Sequence, residues 1–346
     1  MTRLERLAGT LVEPLLVTGG TNVRYLTRLS SSNAALLVEP DGATTLYTDF
    51  RYLEKAAAVE GVELVQTARD VIDALVKILS GRRVGFESAH VTFANHERLA
   101  GAGVDLVPTS SVVERLRRVK EPGELASIRR AAAISDEVYA ALAQERFIGR
   151  TERELAWWIE QAFHEAGADG LAFGSIVASG PNGASPHAEP GDRVIEQGTL
   201  VTVDAGCVVD GYCSDCTRTF STGDLPAELA EAYALCLEGQ LAGLAAVGPG
   251  ESGRAVDAAS RVAIDEAGLG ERYGHGLGHG VGLEVHEAPT LRPESEDVLE
   301  VGNIVTAEPG IYLPGVGGVR IEDLVLVTDD RAEALTHFTK ELVTVG

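Results

Sequence analysis

Asp204 and Asp215 stand close together in the stretch VTVDAGCVVDGYCSDCTRTF, residues 201–220. The stretch predicts a β-hairpin: an apolar run, a turn at Asp210-Gly211, then an alternating run. If the loop closes on Val209-Asp210, the two aspartates oppose each other directly. If it closes on Asp210-Gly211, they lie on a diagonal. Either way they share a face within cross-strand reach. Like charges so placed repel unless a cation sits between them, and hard divalent ions take oxygen ligands. The bland alternative is one aspartate capping the turn and the other facing solvent.

More candidate ligands follow. His275, His279 and His286 fall in RYGHGLGHGVGLEVHEAP, where glycines alternate. Glycine-rich backbone beside imidazoles suits the close approach of a ligand. The spacing is not H-E-x-x-H, so a helical zinc-protease reading fails. Glu308 ends an apolar run in IVTAEPGIY, and Glu322 sits among strand formers in GVRIEDLVLV. A carboxylate in an apolar strand needs a cation or a partner, because unpaired burial of charge is costly. The structural alternative is an Arg320–Glu322 ion pair on an edge strand. Cys213 and Cys216 form a C-x-x-C, but on a strand positions three apart face opposite ways, and no second pair exists. His90 and His96 read as ordinary packing or surface residues.

The elements that must carry these groups predict two domains. Residues 1–118 read as mixed α/β, with strands near 14–18, 34–39, 44–48, 62–66 and 83–87 and helices near 52–60 and 70–79. They contain no nucleotide-binding fingerprint. From 119 to 346 the pattern predicts helices near 124–144 and after Thr151, where Glu154 completes a capping box and Gly167 gives a stop. Trp157 and Trp158 on that helix read as packing. A Gly/Ser/Pro-rich loop with His187 follows, then the aspartate hairpin, helices near 226–246 and 254–267, and a strand-rich end. The fold class is α+β. Two similar halves are expected in the second domain, without a sequence repeat.

Composition narrows the function. The formal net charge of -23 argues against nucleic acid and an anionic membrane surface as partners. No apolar run reads as a signal peptide or a span, and the four cysteines form no disulfide framework, so a cytoplasmic protein is expected.

Asp204, Asp215, His279, Glu308 and Glu322 together resemble the five metal ligands of the pita-bread metallopeptidases: methionine aminopeptidases, Xaa-Pro aminopeptidases and prolidases. The strings VDAG, SDCTRTF, GHGVGLEVHE, TAEPGIY and GVRIED are similar to the proline-specific branch. So are NVRYLT, TDFRYLEKA and the junction RRVKEPGELASIRRAA. The resemblance covers nearly the whole chain.

That resemblance implies a creatinase-like N-terminal domain serving as lid and dimerisation unit, and a catalytic pita-bread domain. It implies two divalent ions per subunit, Mn²⁺ first, with Co²⁺ or Zn²⁺ as alternatives. Asp204 would hold one ion, His279 and Glu308 the other, and Asp215 and Glu322 would bridge. Glu308 would also be the general base, with His187 and His286 at the scissile carbonyl. His275 and Tyr312 match the proline subsite, and Arg320 matches the family's arginine beside the bridging glutamate. The implied substrates are small peptides with proline second, and the implied assembly is a homodimer. Asp49, Arg51 and Tyr52 are lid candidates, Asp49 alternatively a helix cap.

The expected activity is an Xaa-Pro dipeptidase; the alternative is an Xaa-Pro aminopeptidase. Some prolidases carry an arginine directly after HE-x-P. Here that position is Thr290, and Arg292 follows as the candidate carboxylate clamp. The N-terminal domain disfavours a methionine aminopeptidase. Retention of all five ligands disfavours a metal-free creatinase relative or a non-catalytic peptide-binding module.

Overall fold

The structure is a computed structural model that describes residues Met1–Gly346. Contacts divide the chain into two units, Met1–Arg117 and Arg118–Gly346. No helix is long and apolar enough to cross a membrane.

The first unit is built on a six-stranded mixed sheet. Its order is Glu63–Thr67, Thr44–Asp49, Ala34–Val38, Leu15–Val17, Arg83–Glu87, Asp105–Thr109. Five of these strands match the sequence expectation. The sixth was missed because Pro108 interrupts its pattern, and an edge is where a strand tolerates proline. The helix expected near 52–60 shrinks to Leu53–Ala56, because the chain must turn at Gly61 (φ 75) to enter the next strand. The helix Val71–Ile78 is capped by Asp70, whose side chain accepts from Ile72 N. Leu16, Leu37, Leu75, Val84 and Leu99 form the core.

His90 belongs to a partly buried network. Asn22 Nδ2 donates to Glu87 Oε1 at 2.6 Å and to Glu114 Oε1 at 2.8 Å, and His90 Nε2 lies 3.1 Å from Glu114. The amide holds the place a cation would take among these three groups. Asp49 is wholly buried and grips Arg51 through its backbone N–H and guanidinium, so it shapes the turn and does not cap the helix, whose N-cap is Tyr52.

The second unit repeats one plan twice: a helix pair, then strands. The helices Pro122–Leu142 and Glu152–Glu165 pack on the sheet Thr217–Ser221, Leu200–Asp204, Ile176–Ser179 through Phe163, Val201, Val203 and Phe220. The capping box at Thr151/Glu154 forms as expected, and Gly167 takes a positive φ of 90 just past the helix end. Trp158 packs on this core, but Trp157 is 61% exposed, which corrects the reading of both as packing residues. The helices Ala227–Ala246 and Gly253–Glu266 cover the other half. That half holds the two-stranded sheet Gly310–Leu313, Gly317–Arg320 and a five-stranded sheet. The five-stranded order is Glu287–Leu291, Gly278–Gly280, Ile304–Ala307, Asp323–Val327, Ala332–Ala334.

Candidate metal centre

The hairpin closes on Asp210-Gly211, both at positive φ, with Val209 opposite Tyr212. This is the diagonal register. Asp204 pairs with Thr217, which leaves Asp215 two residues before that partner. The ladder breaks midway, and the break is built into the sequence: a Cβ on Gly206 would lie 2.0 Å from Ser214 O. Only glycine lets the two segments approach there, one residue before Asp215. One carboxylate oxygen from each of Asp204, Asp215 and Glu322 lies within 4.8 Å of the other two.

His279 arrives on the short strand Gly278–Gly280, wedged between two neighbours. The alternating glycines allow that wedge: a Cβ on Gly278 would lie 2.1 Å from Thr306 O. Gly278 and Gly280 make room for neighbouring strand backbone, and Gly276 and Gly278 also line the cavity, as the expected approach of a ligand requires. His279 Nε2 stands 3.0 Å from Glu308 Oε1 and 3.8 Å from Asp215 Oδ2. Its Nδ1 lies 3.1 Å from Gly280 O, so Nδ1–H donates to that carbonyl and Nε2 faces the carboxylates. This is the arrangement in which imidazole ligates a metal.

The alternative reading of Arg320 fails. Arg320 is buried and pairs with Asp204, Nη2 to Oδ2 at 2.7 Å, rather than with Glu322. Glu322 follows the strand Gly317–Arg320 and is 1% exposed, so it is no edge residue.

Four carboxylates buried together distort one another's titration. Burial, then the charges of Glu322, Asp204 and Glu308, push Asp215 well above the usual carboxylate range. Burial, Glu308 and Asp204 do the same to Glu322. Burial raises Asp204 against the pull of Arg320. Glu308 goes the other way: burial opposes its charge, but the hydrogen bond and charge of His279 win and hold it down at about 2. Burial likewise opposes charge on His279, and Glu308 outweighs it and raises the imidazole.

These residues fit divalent cations. Asp204 Oδ1 and Glu322 Oε1 are buried with no hydrogen-bond partner. Such orphaned oxygens are costly unless something else satisfies them. The donor set is oxygen-rich with one imidazole, which suits Mn²⁺, Co²⁺ or Zn²⁺. The C-x-x-C makes no rival site: Cys213 and Cys216 lie in separate core clusters, and burial pushes Cys213 up to about 12.

A cavity of about 630 Å³ opens on this cluster. His187, His275, His286, Tyr312, Arg320 and Arg292 line it together with Asp204, Asp215, His279 and Glu308. Of the predicted site residues only Glu322 lies behind the lining. The His286 ring lies against that of His279, centroids 4.2 Å apart and planes tilted by 51°, and burial and then that neighbour lower its pKa. His275 Nδ1–H donates to Gly276 O, so its Nε2 accepts from the Tyr312 hydroxyl at 2.9 Å. That hydroxyl in turn accepts from Arg320 Nη1 at 3.0 Å. Phe173, Ile176 and Val285 supply apolar wall. Sequence reasoning missed these three, since isolated apolar residues carry no spacing signal. It also missed Thr217 and Thr306, whose hydroxyls touch Glu322 and Glu308. Each stands two residues from an expected ligand, Thr217 from Asp215 and Thr306 from Glu308, a spacing too common to single them out. Glu287, next to His286, forms a buried ion pair with Lys120 at 2.6 Å.

The profile described as Metallopeptidase family M24 matches residues 126–329. The profile described as Creatinase/Prolidase N-terminal domain matches residues 4–119. An uncharacterized peptidase, YqhT of Bacillus subtilis (strain 168), is 37% identical over 350 residues, 99% of each chain. The structure of an Xaa-Pro dipeptidase from Bacillus anthracis matches with a TM-score of 0.95 at 38% identity, covering 99% of both chains. An X-Pro aminopeptidase structure from Thermotoga maritima MSB8 matches with a TM-score of 0.89 at 32% identity, covering 99% of this chain and 100% of that one.

Proposed function

This chain belongs to metallopeptidase family M24, with a creatinase/prolidase N-terminal domain and a pita-bread α+β fold, and from that premise we infer that it cleaves the bond between an N-terminal residue and proline. Metal-dependent peptide hydrolysis follows from the family. The finer reading is an Xaa-Pro dipeptidase. The observation that carries it is the clustering of five candidate ligand groups, two of them with orphaned oxygens and four lining a cavity that also holds an arginine for a substrate carboxylate.

In this reading Asp204, Asp215, His279, Glu308 and Glu322 hold two divalent ions, Mn²⁺ first. Bound there, the ions would lower the pKa of a water and polarise the scissile carbonyl. The remaining work belongs to the side chains. Glu308, charged at neutral pH, accepts the water's proton and passes it to the proline nitrogen. His286 and His187 present N–H donors to the carbonyl oxygen as charge develops on it. His275 and Tyr312 flank the proline ring, their orientation fixed by the hydrogen bond between them. The Xaa-Pro bond has no N–H, so recognition must come from ring shape and from the carbonyl.

Arg292 separates the two branches. It is exposed at the cavity wall, and in this reading it meets the free carboxylate of a dipeptide. A charge-assisted contact there favours dipeptides over longer peptides. The aminopeptidase alternative is supported by the Thermotoga maritima likeness over the full chain. The protein is read as a cytoplasmic homodimer, a reading supported by four free, buried cysteines and by exposed Phe50 beside the lid candidates Arg51 and Tyr52. The test is hydrolysis of an Xaa-Pro dipeptide against an Xaa-Pro-Xaa tripeptide by Mn²⁺-loaded protein, with and without chelator. Chelator-sensitive cleavage of the dipeptide in preference supports the dipeptidase; preference for the tripeptide supports the aminopeptidase; no cleavage of either refutes both.

A further inference from the structure

Two threonines lie beneath the carboxylate cluster, each wholly buried. Thr217 Oγ1 donates to Glu322 Oε2 at 2.8 Å and accepts from Arg320 Nε at 3.1 Å. Its carbonyl accepts from Glu322 N at 3.1 Å, so the residue holds Glu322 at both ends. Thr306 Oγ1 donates to Glu308 Oε1 at 2.9 Å and accepts from His279 N at 3.1 Å. An N–H takes the acceptor side of each hydroxyl, so the hydroxyl proton is left for a carboxylate, Glu308 for Thr306 and Glu322 for Thr217, whose hydroxyl also acts on Asp204. Each threonine therefore fixes one carboxylate oxygen and stabilises the charged form.

The two hydroxyls act on different groups. Thr217 fixes Glu322 by Oε2, which leaves Oε1 as the oxygen without a partner. Thr306 ties the carboxylate of Glu308 to the backbone of the strand that carries His279. In the reading above, Glu322 bridges both ions while Glu308 and His279 serve one. We propose that Thr217 and Thr306 are positioning residues that tune the two cation positions separately: Thr306 governs the position served by His279 and Glu308, and Thr217 governs both. This rests on the two-cation reading. Removing a group that orients a metal ligand costs about 10–100-fold in metal affinity.

The test is calorimetric titration of Mn²⁺ into chelator-stripped wild type and into Thr217→Val, Thr306→Val, Thr217→Ser and Thr306→Ser, with thermal unfolding of each metal-free form. Wild type should bind two equivalents. T306V should keep one near wild-type affinity and weaken the other at least tenfold. T217V should weaken both at least tenfold. The serine variants, which keep the hydroxyl, should return to within about threefold of wild type. If either valine variant fails to fold, the alanine variant at that position takes its place. Two equivalents at wild-type affinity in both valine variants would overturn the proposal, and so would serine variants that behave like valine. Failure of wild type to bind two ions would remove the two-cation reading itself and the proposal with it; that failure shows in wild type, the others only in the variants.

Discussion

Arg320 Nη2 donates to Asp204 Oδ2 across 2.7 Å, and Asp204 Oδ1 is left buried without a partner. One oxygen of the aspartate is thus fixed by a permanent cation and the other is reserved. The same guanidinium reaches the Tyr312 hydroxyl, so it joins the carboxylate cluster to the proline side of the cavity.

Arg320→Met should therefore act at two places. It leaves Asp204 buried with no counter-charge, a loss of about 3–5 kcal/mol for a broken buried pair. Urea unfolding of the metal-free variant should show a fall of that order, and Mn²⁺ should recover part of it. An unchanged unfolding midpoint would contradict the pairing.

The raised values of Asp215 and Glu322 set a pH dependence. They hold protons in the metal-free fold at pH values where an unfolded carboxylate has lost them. Their stabilising contribution is complete below the ordinary carboxylate range and is lost as pH rises through the raised values. Glu308, held down at about 2, contributes above the ordinary range and loses its contribution only as pH falls towards 2. Cations replace the protons on Asp215 and Glu322. The gain in Tm on adding Mn²⁺ should accordingly grow from about pH 5 to about pH 8, as these protons leave. Scanning fluorimetry across that range checks this, and a gain that shrinks with pH would contradict it.

Gly206→Ala should separate the aspartates. Its Cβ would fall 2.0 Å from Ser214 O, a backbone atom that cannot swing aside. A loss of more than about 3 kcal/mol is expected, in the range of strained core substitutions. Chemical denaturation measures it, and a loss below about 1 kcal/mol would mean that the strand contact relaxes freely.

Arg292→Ala tests the substrate clamp. A hydrogen bond to a charged group contributes about 1.5–3 kcal/mol, so KM for an Xaa-Pro dipeptide should rise roughly 10–100-fold. KM for an Xaa-Pro-Xaa tripeptide should move little, since its carboxylate lies elsewhere. Equal changes in both would remove Arg292 from specificity.

Much of this architecture was legible in the sequence because periodicity and chemistry agreed. The helices Ala227–Ala246 and Gly253–Glu266 fell within a residue or so of their pattern, and the hairpin was expected, although its register was left open between two closures until the structure showed Asp210-Gly211 at the turn. The carboxylates were legible because charge in an apolar strand asks for an explanation. What the sequence hid were relations across the chain. Nothing near Arg320 says that its partner is Asp204 rather than Glu322; that depends on how two sheets meet. Nothing near Gly278 says that its hydrogen makes room for the Thr306 carbonyl. The hydroxyls of Thr217 and Thr306 look like ordinary strand residues until the carboxylates they hold are in view.

The most direct measurement is metal content per chain, taken alongside Xaa-Pro hydrolysis, for wild type, Asp215→Ala and Glu322→Ala after chelation and reloading with Mn²⁺. Two equivalents with chelator-sensitive cleavage in wild type are predicted, with loss of two-ion binding and of activity in both variants while circular dichroism is unchanged. Full activity in either folded variant, or no stoichiometric metal in wild type, would contradict the account.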